Sequence, residues 1–238
     1  MIKNHQLFSI CVVIPAFNEE KVIGEVINNT RKAFSSTGYS IEIVVVNDLS
    51  SDKTADIAQQ NGATVINHIL NTGAGGATAT GLSYAQQNNF DIACTMDADG
   101  QHASEDAAEG VKQLLSRKVD LLIGSRLINK EGMSKIKILG NKGLSLITHL
   151  LFGINSTDSQ SGLRIFSNNA IKSLRWKTSG YEFCSEMLWR AKQAKLNIDE
   201  YPIQAIYTDY SKLKGQNNWN SINIIKSLVR QRIAELFE

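Results

Sequence analysis

The stretch Asp91-Ile92-Ala93-Cys94-Thr95-Met96 runs without a break into Asp97-Ala98-Asp99. A short, mostly apolar segment without helical spacing reads as a strand buried on both faces, so the two carboxylates sit at its C-terminal end. The same pattern recurs on either side. Ile10–Pro15 leads into Ala16-Phe17-Asn18-Glu19, Ile41–Val46 into Asn47-Asp48, Ala63–Ile66 toward the glycine-rich Asn71–Gly76, and Asp120–Gly124 into Ser125-Arg126. Helical periods lie between. Ile23, Val26, Ile27, Thr30 and Phe34 share one face of Glu19–Phe34, and another helix runs from the glycines to about Gln87. Ser51 and Ser104 are placed to start helices, with Asp52, Glu105 and Asp106 in the positive first turns. Repeated β-α-β units predict an α/β fold with a mostly parallel sheet, helices on both faces, and ligands outside the strand C-termini.

After Arg126 the alternation loosens. Helices are expected at Met133–Phe152, Glu182–Ala194 and Trp219–Glu238, a short strand at Leu163–Phe166, and extended chain over Ile198–Tyr207. We take residues 1–215 as one domain and 216–238 as an appended amphipathic helix, with Ile222, Ile225, Val229, Ile233 and Leu236 on one stripe. That stripe either packs on the core or, flanked by Lys226, Arg230 and Arg232, meets a membrane surface or a partner.

Composition narrows the function. Among 238 residues, 25 Lys and Arg face 23 Asp and Glu, so no basic excess supports nucleic-acid binding. Three cysteines without close spacing read as buried reduced thiols. No signal-peptide pattern or 20-residue apolar run is present, which points to a cytoplasmic protein, at most peripheral to the membrane face.

Asp97 and Asp99 at a sheet mouth repel unless a cation lies between them, and hard oxygen ligands suit Mg²⁺ or Mn²⁺. The alternative is a solvated turn. Asp48 would accept hydrogen bonds from a nucleobase or ribose, or cap a turn or helix. Gly73-Ala74-Gly75-Gly76 would offer N–H groups to phosphate or permit close packing. It matches neither the P-loop nor the dinucleotide fingerprint, so a dehydrogenase is disfavoured.

Seven motifs in order resemble family-2 glycosyltransferases of the GT-A fold. They are Ile14–Glu20, Asn47–Thr54, Asn71–Gly75, Asp97–His102, Gly124–Arg126, Thr157–Arg164 and Gly180–Met187, the last three similar to the dolichyl- or polyprenyl-phosphate sugar synthase branch. The resemblance implies an inverting transfer from a nucleoside-diphosphate sugar to a lipid phosphate. Pro15, Phe17, Glu19 and Asp48 would hold the nucleoside, and Asp97, Asp99 and Gln101 the metal. Arg126 would bind phosphate, and the Asp158–Arg164 loop would line the sugar and acceptor. Glu182 and Glu186, four apart on one helix, would lie near the sugar or form a salt-bridged face. Asp158, Glu182 or Glu186 would be the base if the acceptor were a hydroxyl. A hydroxyl-directed transferase and a non-catalytic sugar-nucleotide binder are the alternatives.

The chain departs from the family at Leu49, where Gly is usual, and at Asn47, where a second Asp is common. Ala74 replaces a frequent Lys and Ala103 a usual Pro. A late Arg is missing, leaving Lys212 or Lys214 to meet that phosphate.

Overall fold

The computed structural model describes residues 8–129, 133–206 and 219–235. Seven strands form one sheet: β1 (Ser9–Ala16), β2 (Ser40–Asn47), β3 (Thr64–Asn67), β4 (Ile92–Thr95), β5 (Leu121–Ser125), β6 (Arg164–Ser167) and β7 (Ile198–Pro202). Their order is β3-β2-β1-β4-β6-β5-β7. All pairs are parallel except those of β6, which runs antiparallel to β4 and β5. That reversal brings the residues before β6 beside those after β4, since Thr95 pairs with Arg164.

Eight helices are described: α1 (Ile23–Phe34), α2 (Thr54–Gln60), α3 (Gly73–Gln87), α4 (Ser104–Arg117), α5 (Lys135–Phe152), α6 (Asn168–Ser173), α7 (Phe183–Gln193) and α8 (Trp219–Glu235). Side chains alternate across β1 into two cores. Ile10, Val12 and Ile14 pack with Ile23, Ile27, Ala107 and Val111 of α1 and α4. Cys11 and Val13 face the layer containing Ala77, Leu144, Met187, Ile224 and Leu228. Cys11, Cys94 and Cys184 are buried and unbridged.

Several local expectations are corrected. Residues 19–22 form a turn, and α1 begins at Ile23. Ser51 does not cap α2. Asp52 lies before that helix, and its Oδ1 accepts from the Thr54 N–H and hydroxyl. The glycine-rich segment is the first turn of α3, where packing requires glycine. A Cβ at Gly75 would lie 2.6 Å from the Thr178 carbonyl, and one at Gly81 2.1 Å from Val13 Cγ1.

In α8, Ile224 and Leu228 are buried while Val229 and Ile233 are exposed, so the stripe read from the sequence includes outward-facing residues. Among the described residues, no helix is long and apolar enough to cross a membrane.

Candidate active site

The C-terminal ends of β1, β2 and β3 form one side of a rim. Phe17 and Leu49 are each 48% exposed there, while Glu19 is buried and Pro15 half-buried. Asn18 and Leu49 adopt positive φ, at 54° and 63°. The Asn18 amide earns its turn by accepting the Ser51 N–H at 2.8 Å. The apolar Leu49 side chain can make no such bond, which gives a steric reason for glycine being usual at that place.

Asp48 is buried and acts as an anchor. Its Oδ1 meets His68 Nδ1 at 2.8 Å and accepts from the Thr72 N–H and hydroxyl, while Oδ2 accepts the Gly73 N–H at 2.7 Å. Burial pushes its pKa up, but the bonds from Thr72, His68 and Gly73 outweigh this and hold it below the ordinary value. The carboxylate thus takes the Gly73 N–H that the sequence offered to a phosphate, while the Gly75 N–H donates to the Ser179 carbonyl. His68 was missed because its role depends on partners at positions 48 and 80; its Nε2 meets Thr80 Oγ1 at 2.9 Å.

Beyond β4 the arrangement is less complete. The Asp97 side chain is 49% exposed to the crevice. Its carboxylate rests against the loop before β6, where a Cβ at Gly162 would lie 2.2 Å from Oδ1. Asp99 accepts from the Gln101 N–H at 3.0 Å and from Gln101 Nε2 at 2.6 Å. Desolvation within the crevice raises the Asp97 pKa, opposed by Arg126 and Arg164; desolvation and the Asp97 charge raise that of Asp99.

Arg126 forks onto Asp158 through Nε at 2.7 Å and Nη2 at 2.8 Å. Asp158 is fully buried and also accepts the Arg126 N–H. Ser125 Oγ lies 2.6 Å from Thr157 Oγ1 alongside this pair. Arg164, the last residue of the loop expected to line the sugar and acceptor, is buried beneath it. Its guanidinium donates to the carbonyls of Ser159, Ser161 and Cys184.

Glu186 is also fully buried, accepting from the Lys177 and Thr178 N–H groups, the Thr178 hydroxyl and Arg190. Burial raises its pKa, but the Thr178, Lys177 and Arg190 bonds outweigh it and leave the value lowered. Glu186, a candidate base from the sequence, is thus held by donors at positions 177, 178 and 190. Glu182 turns toward α8 and accepts from Ser227 at 3.2 Å.

Tyr181 and Lys137 were not singled out from the sequence. Tyr181 is 47% exposed, and burial with the charges of Asp97, Asp99 and Glu19 raises its pKa. Lys137, near the start of α5, is lowered by burial and Arg126 and pulled back by Asp99. Lys212 and Lys214 lie outside the described residues.

Among the described residues, no three His, Cys, Asp or Glu side chains form a metal cage. Two carboxylates with raised pKa and a neighbouring amide instead form an open oxygen donor set. This fits Mg²⁺ or Mn²⁺ completed by phosphate and water.

The sheet order, the reversed β6 and a carboxylate pair after β4 define a GT-A glycosyltransferase. The family model Glycosyl transferase family 2 matches residues 11–175, and the chain belongs to that family. It is 39% identical to the UDP-N-acetylglucosamine--dolichyl-phosphate N-acetylglucosaminyltransferase of Methanococcus voltae, over 96% of this chain and 98% of that one. Identity to the undecaprenyl-phosphate mannosyltransferase of Micrococcus luteus is 27%, covering 87% and 88% of the two chains. These relatives place it in the polyprenyl-phosphate sugar synthase branch. Glucosyl-3-phosphoglycerate synthase from Mycobacterium tuberculosis, crystallised with Mn²⁺, uridine diphosphate and glucosyl-3-phosphoglycerate, shares the fold. Its TM-score is 0.65 at 20% identity, over 93% of this chain and 80% of that one.

Proposed function

We propose that the protein transfers a sugar, with inversion, from a nucleoside-diphosphate sugar to a polyprenyl phosphate, using Mg²⁺ or Mn²⁺. The observation carrying the acceptor assignment is the engagement of Asp158 and Glu186 in buried hydrogen bonds. A hydroxyl acceptor needs a base within reach, whereas a phosphate is already ionised near neutral pH. With these two carboxylates engaged and Glu182 turned toward Ser227 of α8, the phosphate acceptor is favoured.

Pro15, Phe17 and Glu19 hold the nucleoside, with Asp48 fixing the rim against α3. Asp97, Asp99 and Gln101 hold the cation, which when bound neutralises charge on the departing diphosphate. Asp158 orients Arg126 toward phosphate, and Lys137 supplies a second positive charge at the crevice.

The face of α5 supports a lipid-borne acceptor. Ile136, Leu139, Leu146 and Leu150 are 57–75% exposed, and Lys135, Lys137, Lys142 and His149 share the helix. A groove of about 530 Å³ beside it is lined by Leu127, Lys142, Leu146, His149, Ile154 and Thr157. An exposed apolar stripe with flanking cations suits an anionic membrane surface.

The test is calorimetric titration with UDP-, GDP- and dTDP-sugars, with and without Mn²⁺, followed by turnover on a short polyprenyl phosphate in anionic vesicles. One nucleotide class should bind with metal dependence and be consumed. Leu139→Glu with Leu146→Glu should reduce vesicle binding without changing donor affinity. Transfer to a saccharide hydroxyl but not to polyprenyl phosphate would overturn the acceptor assignment.

A further inference from the structure

Among the described residues, two buried side-chain polar atoms lack a hydrogen-bond partner, His102 Nε2 and Ser161 Oγ. Both belong to segments around Asp97. Ser161 precedes the glycine against which the Asp97 carboxylate rests, and His102 Nε2 stands 3.7 Å from Asp97 Oδ2. A buried unpartnered donor is rare enough in a native fold to need a reason.

The ring is held from two directions. His102 is 4% exposed, and its backbone bridges to Ala205, while Ile206 N–H donates to the Gln101 carbonyl. The Asp97 N–H donates to His102 Nδ1 at 3.2 Å. With Nδ1 accepting, the proton is on Nε2, facing the carboxylate of the residue whose N–H fixes the tautomer.

Resting on the metal-dependent reading above, we propose that His102 is a positioning residue whose Nε2–H sets the Asp97 carboxylate for the cation and diphosphate. Closing the gap by less than about 1 Å makes a hydrogen bond of ordinary length. The bond satisfies the buried donor and fixes the Oδ2 end of the carboxylate. Partners of this kind orient metal ligands, and their loss commonly costs about 10–100-fold in affinity.

Two variants separate positioning from packing. His102→Asn keeps an acceptor near the Nδ1 position but loses the distal donor. His102→Gln keeps a distal donor and loses the acceptor for the Asp97 N–H. Mn²⁺ affinity is measured by calorimetry in the presence of whichever of UDP, GDP or dTDP binds the wild type, alongside thermal melting. His102→Asn should melt near wild type yet bind Mn²⁺ at least about tenfold more weakly. His102→Gln should retain most of the affinity despite a lower melting temperature.

Nitrogen-15 NMR of the wild-type ring should show an Nε2–H tautomer whose proton moves downfield on adding Mg²⁺ with the nucleotide. Wild-type Mn²⁺ affinity in His102→Asn, or affinity tracking melting temperature in both variants, overturns the positioning role and leaves the metal site standing. Failure of wild type to bind Mn²⁺ with any of the three diphosphates overturns both readings.

Discussion

The two sides of the crevice differ in how completely the chain satisfies itself. At the ends of β2 and β3, Asp48 is saturated by His68, Thr72 and Gly73, and His68 has its second nitrogen on Thr80. Beyond β4, Asp97 and Asp99 are pushed toward protonation, while His102 and Ser161 carry unpartnered buried atoms. The first side is a finished scaffold. The second, on the function proposed above, is completed by a bound cation, and substitutions on the two sides should therefore fail differently.

The largest expected effect is on the incomplete side. Gly162→Ala puts a methyl group where the Asp97 carboxylate lies, and an ångström of misplacement at a reacting site costs roughly 100-fold in turnover. Steady-state kinetics should show that loss with a melting temperature close to wild type. A large fall in stability with normal turnover by the folded fraction would erase the distinction between the two sides.

On the finished side, Asp48→Asn replaces an acceptor that takes four contacts, and should cost about 3 kcal/mol in denaturant unfolding. Glu186→Gln should cost a similar amount, about 3 kcal/mol, because it unpairs Arg190 from a buried carboxylate. Turnover per folded molecule should stay within about threefold of wild type, well short of the tenfold that 1.4 kcal/mol of barrier represents. A hundredfold loss in the stable fraction would return Glu186 to catalysis.

Both carboxylates lie below their ordinary values of 3.8 and 4.5 in the fold. Their stabilisation is therefore complete above those values and drains away as pH falls through the folded ones. Acid unfolding of wild type should be steeper than that of Glu186→Gln. The smallest effect is at Leu49, where Gly relieves a positive φ at some cost in chain entropy. Leu49→Gly should stabilise by about 0.5–1 kcal/mol, raising melting by a few degrees.

The strands and the carboxylate pair were legible because buried runs and strand-end polar clusters are local signals. The direction of β6 was not, since an apolar run has no arrow and only its partners reverse it. The fates of Asp48, Asp158 and Glu186 depended on donors elsewhere in the chain. Arg126 lies 32 residues from Asp158, and Thr72 lies 24 from Asp48. The α3 glycines enter the helix against their propensity, because the close approach to Val13 and Thr178 leaves no room for a side chain. In α8, periodicity revealed an apolar stripe but could not tell an inward face from an outward one.

The clasp made by Ser125 with Thr157 and Arg126 with Asp158 has an evolutionary consequence. It ties both ends of the excursion that carries α5 to a single point at the root of the crevice. Doubling the length of such a closed loop costs only about 0.6 kcal/mol in chain entropy. On the function proposed above, the segment bearing α5 is thus a cassette on a fixed mount, free to lengthen or change its surface as acceptors diversify. The donor site need not be rebuilt each time.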